Sequence, residues 1–231
     1  MISIIIPVLN EATTIGALLT DISKKTSLEN ISEILLVDGG SEDETIHLAT
    51  SFYKKLPLSI LKSQKGRAKQ MNMGAQHASG NILYFVHADT TLPENFDAQL
   101  ISQIENGFVA GCFRMKFDSN HPILKLSQWF TRFNVKSCRG GDQTLFISKS
   151  VFQKLNGFNE SFIIYEDCEF TNRIYDQFNF VVMKDYVITS ARRYKNNGTL
   201  KLQYHFTIIH IKKWLGASPK SLVAYYRKYI A

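Results

Sequence analysis

The sequence predicts an α/β fold: a mostly parallel, Rossmann-like sheet flanked by helices, then a mixed second half and a helical C-terminal tail. Three observations carry this. Short apolar runs alternate with amphipathic helical stretches through residues 2–90. The runs that contain Ile5, Val37 and Phe85 each stop abruptly beside an acidic residue: Glu11, Asp38 and Asp89. The connections are short and punctuated by glycine, as right-handed crossovers between parallel strands require.

Taken in order, residues 2–8 read as a strand, and Asn10 to Ala12 open a helix with Ile15, Leu18, Leu19 and Ile22 on one face. Ile31 to Val37 is the second strand. It ends at Asp38-Gly39-Gly40-Ser41, and Glu42, Asp43 and Glu44 then load the first turn of another helix with acids that suit its dipole. Leu58 to Leu61 is a third strand, and Gly66 precedes a helix carrying Ala68, Met71, Ala75 and Ala78 inward. Gly80 leads into Ile82 to Val86, a run continuous enough to be buried on both faces, which ends at His87-Ala88-Asp89. Ligands of open α/β sheets bind at that edge, so Asp89 is placed to meet a ligand or its metal. A helix cap before Pro93 is the alternative.

Phe108 to Phe117 reads as a strand, 122–136 as a helix with an aromatic face, and Gln143 to Ile147 as a strand entered through Arg139-Gly140-Gly141-Asp142. Glu166 to Gln177 is a helix, and Phe180 to Met183 with Val187 to Ser190 form an edge pair. Trp129, Phe130 and Phe133 are assigned to the core, the commoner fate of such side chains. The tail is helical from about Leu200 to Leu215 and again after Ser218-Pro219. This divides the chain into one domain, 1–194, with a nucleotide-binding half (1–90) and an acceptor half (91–194), and a basic helical tail, 195–231.

Composition narrows the function classes. A hydrophobic fraction of 45% and a charged fraction of 20% fit a globular enzyme, and no apolar run reaches the ~20 residues a bilayer span needs. The apolar N-terminus has no basic leader and reads as a strand, so a cytoplasmic location is expected. Cys112, Cys138 and Cys168 are odd in number and form no CxxC pair, which argues against a disulfide or zinc framework. The net charge of +7 is not spread evenly. After Asp185 there are nine basic and no acidic residues, against 18 basic and 20 acidic before it. That asymmetry points to phosphate groups or the inner face of an anionic membrane as partners, and away from nucleic acid. In the last helix, Tyr225, Tyr226 and Tyr229 beside Arg227 and Lys228 suit such peripheral contact; packing onto the body, or pairing as a homodimer, are the alternatives.

The strand-end acids, with Arg67 and Asn72, suit a nucleoside diphosphate. Carboxylates accept from ribose or base, arginine matches diphosphate oxygens, and a further carboxylate can hold a divalent cation. The chain here resembles family 2 glycosyltransferases of the GT-A fold through Ile5-Ile-Pro-Val-Leu-Asn-Glu11, Val37-Asp-Gly-Gly-Ser-Glu-Asp-Glu-Thr45, Gly66-Arg-Ala-Lys-Gln-Met-Asn-Met-Gly-Ala75, His87-Ala-Asp-Thr90 and Glu166-Asp167.

The resemblance implies a metal-dependent, inverting transfer from a nucleoside diphosphate sugar to an acceptor hydroxyl, the acceptor unspecified and lipid-linked in one reading. It implies that Pro7, Asn10, Glu11, Asp38, Arg67 and Asn72 bind the donor, and that Asp89 holds Mn²⁺ or Mg²⁺ as the acid of the DXD motif. It makes Asp167 the catalytic base, with Glu166 beside it on the acceptor side. Arg192 and Arg193 loosely match the family's Arg-aromatic motif at the leaving diphosphate, with a solvated basic patch as the plainer reading. Asp142 and Gln143 are assigned to sugar or acceptor hydroxyls, although a turn explains Gly140-Gly141-Asp142 almost as well. His87 occupies the first DXD position, where the family has Asp. His87-Ala-Asp-Thr90 and Gly140-Gly-Asp-Gln143 resemble a bacterial subgroup sometimes linked to arsenosugar biosynthesis. Rival readings are a sugar-1-phosphate nucleotidyltransferase, an idle sugar-nucleotide binding module and a membrane-surface adaptor.

Overall fold

A computed structural model describes residues 1–230. The first half contains β1 (Ile2–Val8), α1 (Ile15–Lys25), β2 (Ile31–Asp38), α2 (Thr45–Thr50), β3 (Leu58–Lys62), α3 (Arg67–His77), β4 (Ile82–Phe85) and β5 (Thr90–Thr91). The second contains α4 (Phe96–Glu105), β6 (Ala110–Phe117), α5 (Pro122–Phe130), β7 (Leu145–Ser148), α6 (Lys149–Lys154), α7 (Glu166–Gln177) and β8 (Phe180–Thr189). Helices α8 (Arg192–Asn197), α9 (Thr199–Trp214) and α10 (Pro219–Tyr229) close the chain. Among the described residues the strands form one sheet in the order β3-β2-β1-β4-β7-β6-β8-β5. The β3 to β4 block is parallel throughout, and β7 runs antiparallel to both β4 and β6. No described helix is long and apolar enough to cross a membrane.

Why the first strands are apolar on consecutive residues is clear from their two faces. Ile4, Ile6, Tyr84 and Val86 enter one core, while Ile5, Leu83 and Phe85 enter a second core on the other side of the sheet. Two glycines are required by contact. A Cβ on Gly74 would come 2.5 Å from Ile5 Cγ2, so glycine lets α3 lie close on β1. A Cβ on Gly80 would come 2.8 Å from Ser3 N, where Gly80 N donates to Ser3 Oγ at 2.8 Å.

The second half departs from expectation in three places. The edge pair expected over 180–190 is one strand, β8, lying between β6 and β5. The Lys184-Asp185 pair bulges where the register jumps, Phe113 opposing Met183 and Arg114 opposing Tyr186; β6 is long enough to continue the ladder past it. The helix expected over 122–136 ends at Phe130. Buried Arg139 reaches back, its Nη2 donating to Thr131 O at 2.7 Å and Phe133 O at 2.6 Å, so those carbonyls satisfy a guanidinium and not another turn. As a result Trp129, Phe130 and Phe133, expected in the core, are 40–44% exposed, stacked edge-on upon one another. Gln143 lies before β7, held in a turn by Gly140 N, which donates to Gln143 Oε1 at 3.2 Å.

The tail helices belong to the body: Leu202, Ile209, Leu222 and Ile230 are buried in the core that holds Ile4 and Tyr84. Ser218 caps α10, accepting from Ser221 N at 3.3 Å ahead of Pro219. Arg192 and Arg193 follow strand β8 and open helix α8.

Candidate active site

A cleft of about 1120 Å³ opens at the C-terminal ends of β1 and β4. The pairing of β5 with β8 explains what meets there. Thr90 opposes Thr189 in antiparallel register, so the chain leaves the pairing as Asp89 on one strand and Ser190 on the other. Two residues on, Arg192 turns to Glu11 at the end of β1, Nη2 to Oε2 3.1 Å. Residues 181 apart in the chain are thereby brought to one rim.

Of the residues singled out from the sequence, Pro7, Glu11, Arg67, Asp89, Asp142, Arg192 and Arg193 line this cleft, as does His87. Five others do not. Asn10, left-handed at φ 56°, and Asp38 are spent on the neighbouring turn, accepting from Glu42 N at 2.9 Å and from Ser41 N at 2.8 Å. Asn72 accepts from Phe158 N and donates to Phe158 O and Glu160 Oε1, all at 2.9 Å, so it holds a loop of the wall without facing the cleft. Gln143 is enclosed in its turn, and Glu166, fully buried, accepts from Arg67 Nε.

Asp167 stands behind this first layer. Its Oδ2 lies 2.9 Å from Arg67 Nη2, an ion pair without hydrogen-bond geometry. Gly141 covers the pair so closely that a Cβ there would sit 3.1 Å from Asp167 Oδ2 and 3.2 Å from Arg67 Nη2. The turn that delivers α7 is strained. Tyr165 adopts φ 71°, a left-handed conformation costing a non-glycine residue about 1–3 kcal/mol, and packs against His210 of α9 with ring centroids 5.1 Å apart. The bend starts α7 with Glu166 inside and Asp167 against Arg67.

The electrostatics separate these acids. Burial raises the Asp89 carboxyl to about 6, Asp142 and Glu11 push in the same direction, and Arg192 only partly opposes them. Burial also raises Asp167, reinforced by Glu166 and Asp142 against the pull of Arg67, because one guanidinium serves three carboxylates. Burial works against the charge of Arg67, but Asp167 and Glu166 outweigh it and hold the guanidinium firmly protonated. Burial pushes His87 down to about 3, Arg67 adding to the effect, so its imidazole is neutral near pH 7. Among the described residues no three His, Cys, Asp or Glu side chains converge as a closed metal cage. Asp89 nonetheless offers a hard oxygen donor in a locally acidic spot, a fit to Mg²⁺ or Mn²⁺ completed by a ligand's oxygens.

Several residues that shape the wall were not assigned to the site from the sequence. Gln70 pins the strand ends by donating to Val8 O and Val37 O, both at 2.8 Å. Lys220 and Arg227 of α10 line the cleft. Cys168 packs, its thiol lying 3.6 Å from Arg139 O. His205 bonds Tyr225 OH at 2.8 Å while His210 stacks on Tyr165, so the two histidines make no metal pair.

Comparison with known proteins gives one consistent result. The chain is 28% identical over 186 residues to the glycosyltransferase AglE of Haloferax volcanii, covering 76% of this chain and 61% of that one. A PGL/p-HBAD biosynthesis glycosyltransferase of Mycobacterium bovis is 39% identical over 97 residues, 41% of this chain and 37% of its own. The chain thus spans about three fifths or less of these relatives. In fold it resembles the mannosyltransferase PcManGT of Pyrobaculum calidifontis, solved with GDP-Man and Mn²⁺ (TM-score 0.72, 16% identity, 99% of this chain and 69% of that one). It also resembles S. aureus TarS, residues 1–349 (TM-score 0.71, 19% identity, 83% and 61%). The model of "Glycosyl transferase family 2" matches residues 3–178, and the chain belongs to that family.

Proposed function

We propose that this chain transfers a sugar from a nucleoside diphosphate sugar to an acceptor hydroxyl, with inversion at the anomeric carbon and with a divalent cation bound through Asp89. The observation that carries the reading is the convergence of Glu11, Arg67, Asp89, Asp142 and Arg192 on one cleft at the sheet edge. The complexes of its fold neighbours with GDP-Man and Mn²⁺ and with UDP-GlcNAc support a nucleotide sugar and a cation. The motifs His87 to Thr90 and Gly140 to Gln143 support placement in the bacterial subgroup they resemble and name no sugar.

In this reading Arg192 and Arg193 take up the charge of the leaving diphosphate, and Glu11 is released from Arg192 to accept from the nucleoside. When bound, the cation neutralises the diphosphate and makes it a better leaving group. Asp167 takes the proton of the acceptor hydroxyl as its oxygen attacks the anomeric carbon. Arg67 and Glu166 hold the base in position, and Arg67 keeps part of it ionised against burial. The test is a thermal-shift screen of nucleotide sugars with Mn²⁺, followed by calorimetric titration of Mn²⁺ with and without the hit. The cation should bind weakly alone and tightly with nucleotide, since Asp89 offers one carboxylate and the ligand supplies the rest. Equal affinity in both titrations would defeat this account of the metal site.

A further inference from the structure

Helix α10 lies beyond the residues that carry the family resemblance, yet it forms part of the cleft wall. Two cleft cations are already matched: Arg67 by Glu166 and Asp167, Arg192 by Glu11. Five more, Lys65, Lys69, Arg193, Lys220 and Arg227, have no carboxylate partner among the described residues. A donor diphosphate carries two negative charges, and the cation bound with it cancels them. Asp89, Asp142 and Glu160 also line the cleft without a cation partner, and in the reading above the diphosphate takes Arg193, so the positive surplus left with the donor bound is local to α10, which carries Lys220 and Arg227 and no acidic residue.

Lys220 and Arg227 stand two turns apart on one face of α10. Buried Leu222 and Val223 fasten the helix to the body, and Arg193 donates to Tyr226 OH beside them, so this face is held over the cleft. The cleft, about 1120 Å³, runs from Pro7 and Asp89 at the strand ends to Lys220 and Arg227 of α10, so its wall reaches beyond the acids assigned to the donor. We propose that Lys220 and Arg227 form an anion subsite next to the donor position, and that the acceptor carries a phosphate group which this subsite holds. The inference rests on the donor reading above and adds the chemical class of the acceptor.

The rim indicates where such a phosphate could come from. Lys213 Nζ lies 4.8 Å above the ring of Phe162, a cleft residue, and the chain then exposes Trp214 (84%) and Leu215 (71%) before Ser218 and Pro219 re-enter the wall. Apolar side chains beside cations at a cleft mouth suit a lipid phosphate; a soluble sugar or glycerol phosphate offers the same group.

The experiment uses the full chain loaded with Mg²⁺ and the nucleoside diphosphate found in the donor screen. Glycerol 3-phosphate is titrated by calorimetry into wild type and into the Lys220→Ala/Arg227→Ala and Lys220→Gln/Arg227→Gln variants. Both positions are exposed, and equal melting temperatures confirm folding. Glycerol 3-phosphate should bind wild type and lose about tenfold in affinity or more in both variants, while nucleotide affinity holds. Co-sedimentation with phosphatidylcholine vesicles containing phosphatidic acid, lost on Lys220→Ala/Arg227→Ala and on Trp214→Ser, assigns the phosphate to a lipid. Glycerol 3-phosphate binding without sedimentation assigns it to a soluble acceptor, and both results support the subsite. Equal glycerol 3-phosphate affinity in wild type and variants overturns it. So does a parallel loss of nucleotide affinity, which would give these cations to the donor and leave the donor reading standing. A wild type that binds no nucleotide overturns both readings.

Discussion

Asp89 and Asp167 are both carboxylates that burial lifts above their usual range, but their surroundings are opposite in kind. Asp89 lines the open cleft, its acidic neighbours Asp142 and Glu11 only partly offset by Arg192. Asp167 lies behind the wall with Arg67 in contact at 2.9 Å and Glu166 sharing the same guanidinium. The first site is short of a positive charge that can come and go; the second has its counter-ion built in and needs to exchange only a proton. In the proposed reading, that contrast is what distinguishes the cation ligand from the base.

Three variants test the contrast. The largest effect is expected from Asp167→Asn, which keeps the shape and removes the basic oxygen: transfer should fall about 10²–10⁴-fold while donor affinity is retained. Product formation and donor Kd measured side by side check this, and near-normal turnover removes Asp167 from its role. Next is Arg67→Ala, which leaves Glu166 and Asp167 uncompensated. Arg67 is 35% exposed, so the loss should be about 2–3 kcal/mol, below the ~3–5 of a fully buried pair, read from denaturant unfolding. Glu166→Gln in the same background should recover part of it; an unchanged midpoint in Arg67→Ala would mean the pair is not built in.

The smallest effect is a pH dependence at Asp89. Its folded-state pKa, about 6, stands above the ordinary 3.8, so its contribution to stability is fullest below 3.8 and is lost as pH rises through about 6. The ionised carboxylate therefore burdens the fold near neutrality, and Asp89→Asn should raise the melting temperature slightly at pH 7.5. For the cation the sign reverses, because protons compete for the same oxygens. Mn²⁺ affinity should be flat above pH 7 and fall about tenfold per unit below 6. A flat calorimetric profile from pH 7.5 to 5 would show that Asp89 does not ligate.

The two halves of the chain differ in how much they disclose in advance. Strands β1, β2 and β4 are legible because each is largely buried on both faces, and the turn between strand and helix is local chemistry: Asp38-Gly39-Gly40 and Gly66 need no distant partner to be read. What was hidden depends on side chains arriving from far away. Nothing near Phe130 marks a helix end, since Arg139 imposes it, and with it the outward turn of Trp129 and Phe133. Lys184-Asp185 has the composition of a turn and becomes a bulge because β6 continues beside it. At the site, the acids after β1 and β4 are visible from spacing alone. The retreat of Asn72 to the Phe158 loop, and the arrival of Lys220 and Arg227 from α10, follow from tertiary docking that no local pattern records.

The two-residue strand β5 also sets an order of events for the nascent chain. Thr90 and Thr91 pair only with Thr189 and Ile188, about a hundred residues later. The parallel block β1 to β4 can assemble early on its own buried contacts, while Asp89, immediately before β5, waits for β8. Contacts of such sequence separation are among the slowest to close. In the proposed reading, cation binding through Asp89 should accordingly appear late in folding and be lost early when β8 frays.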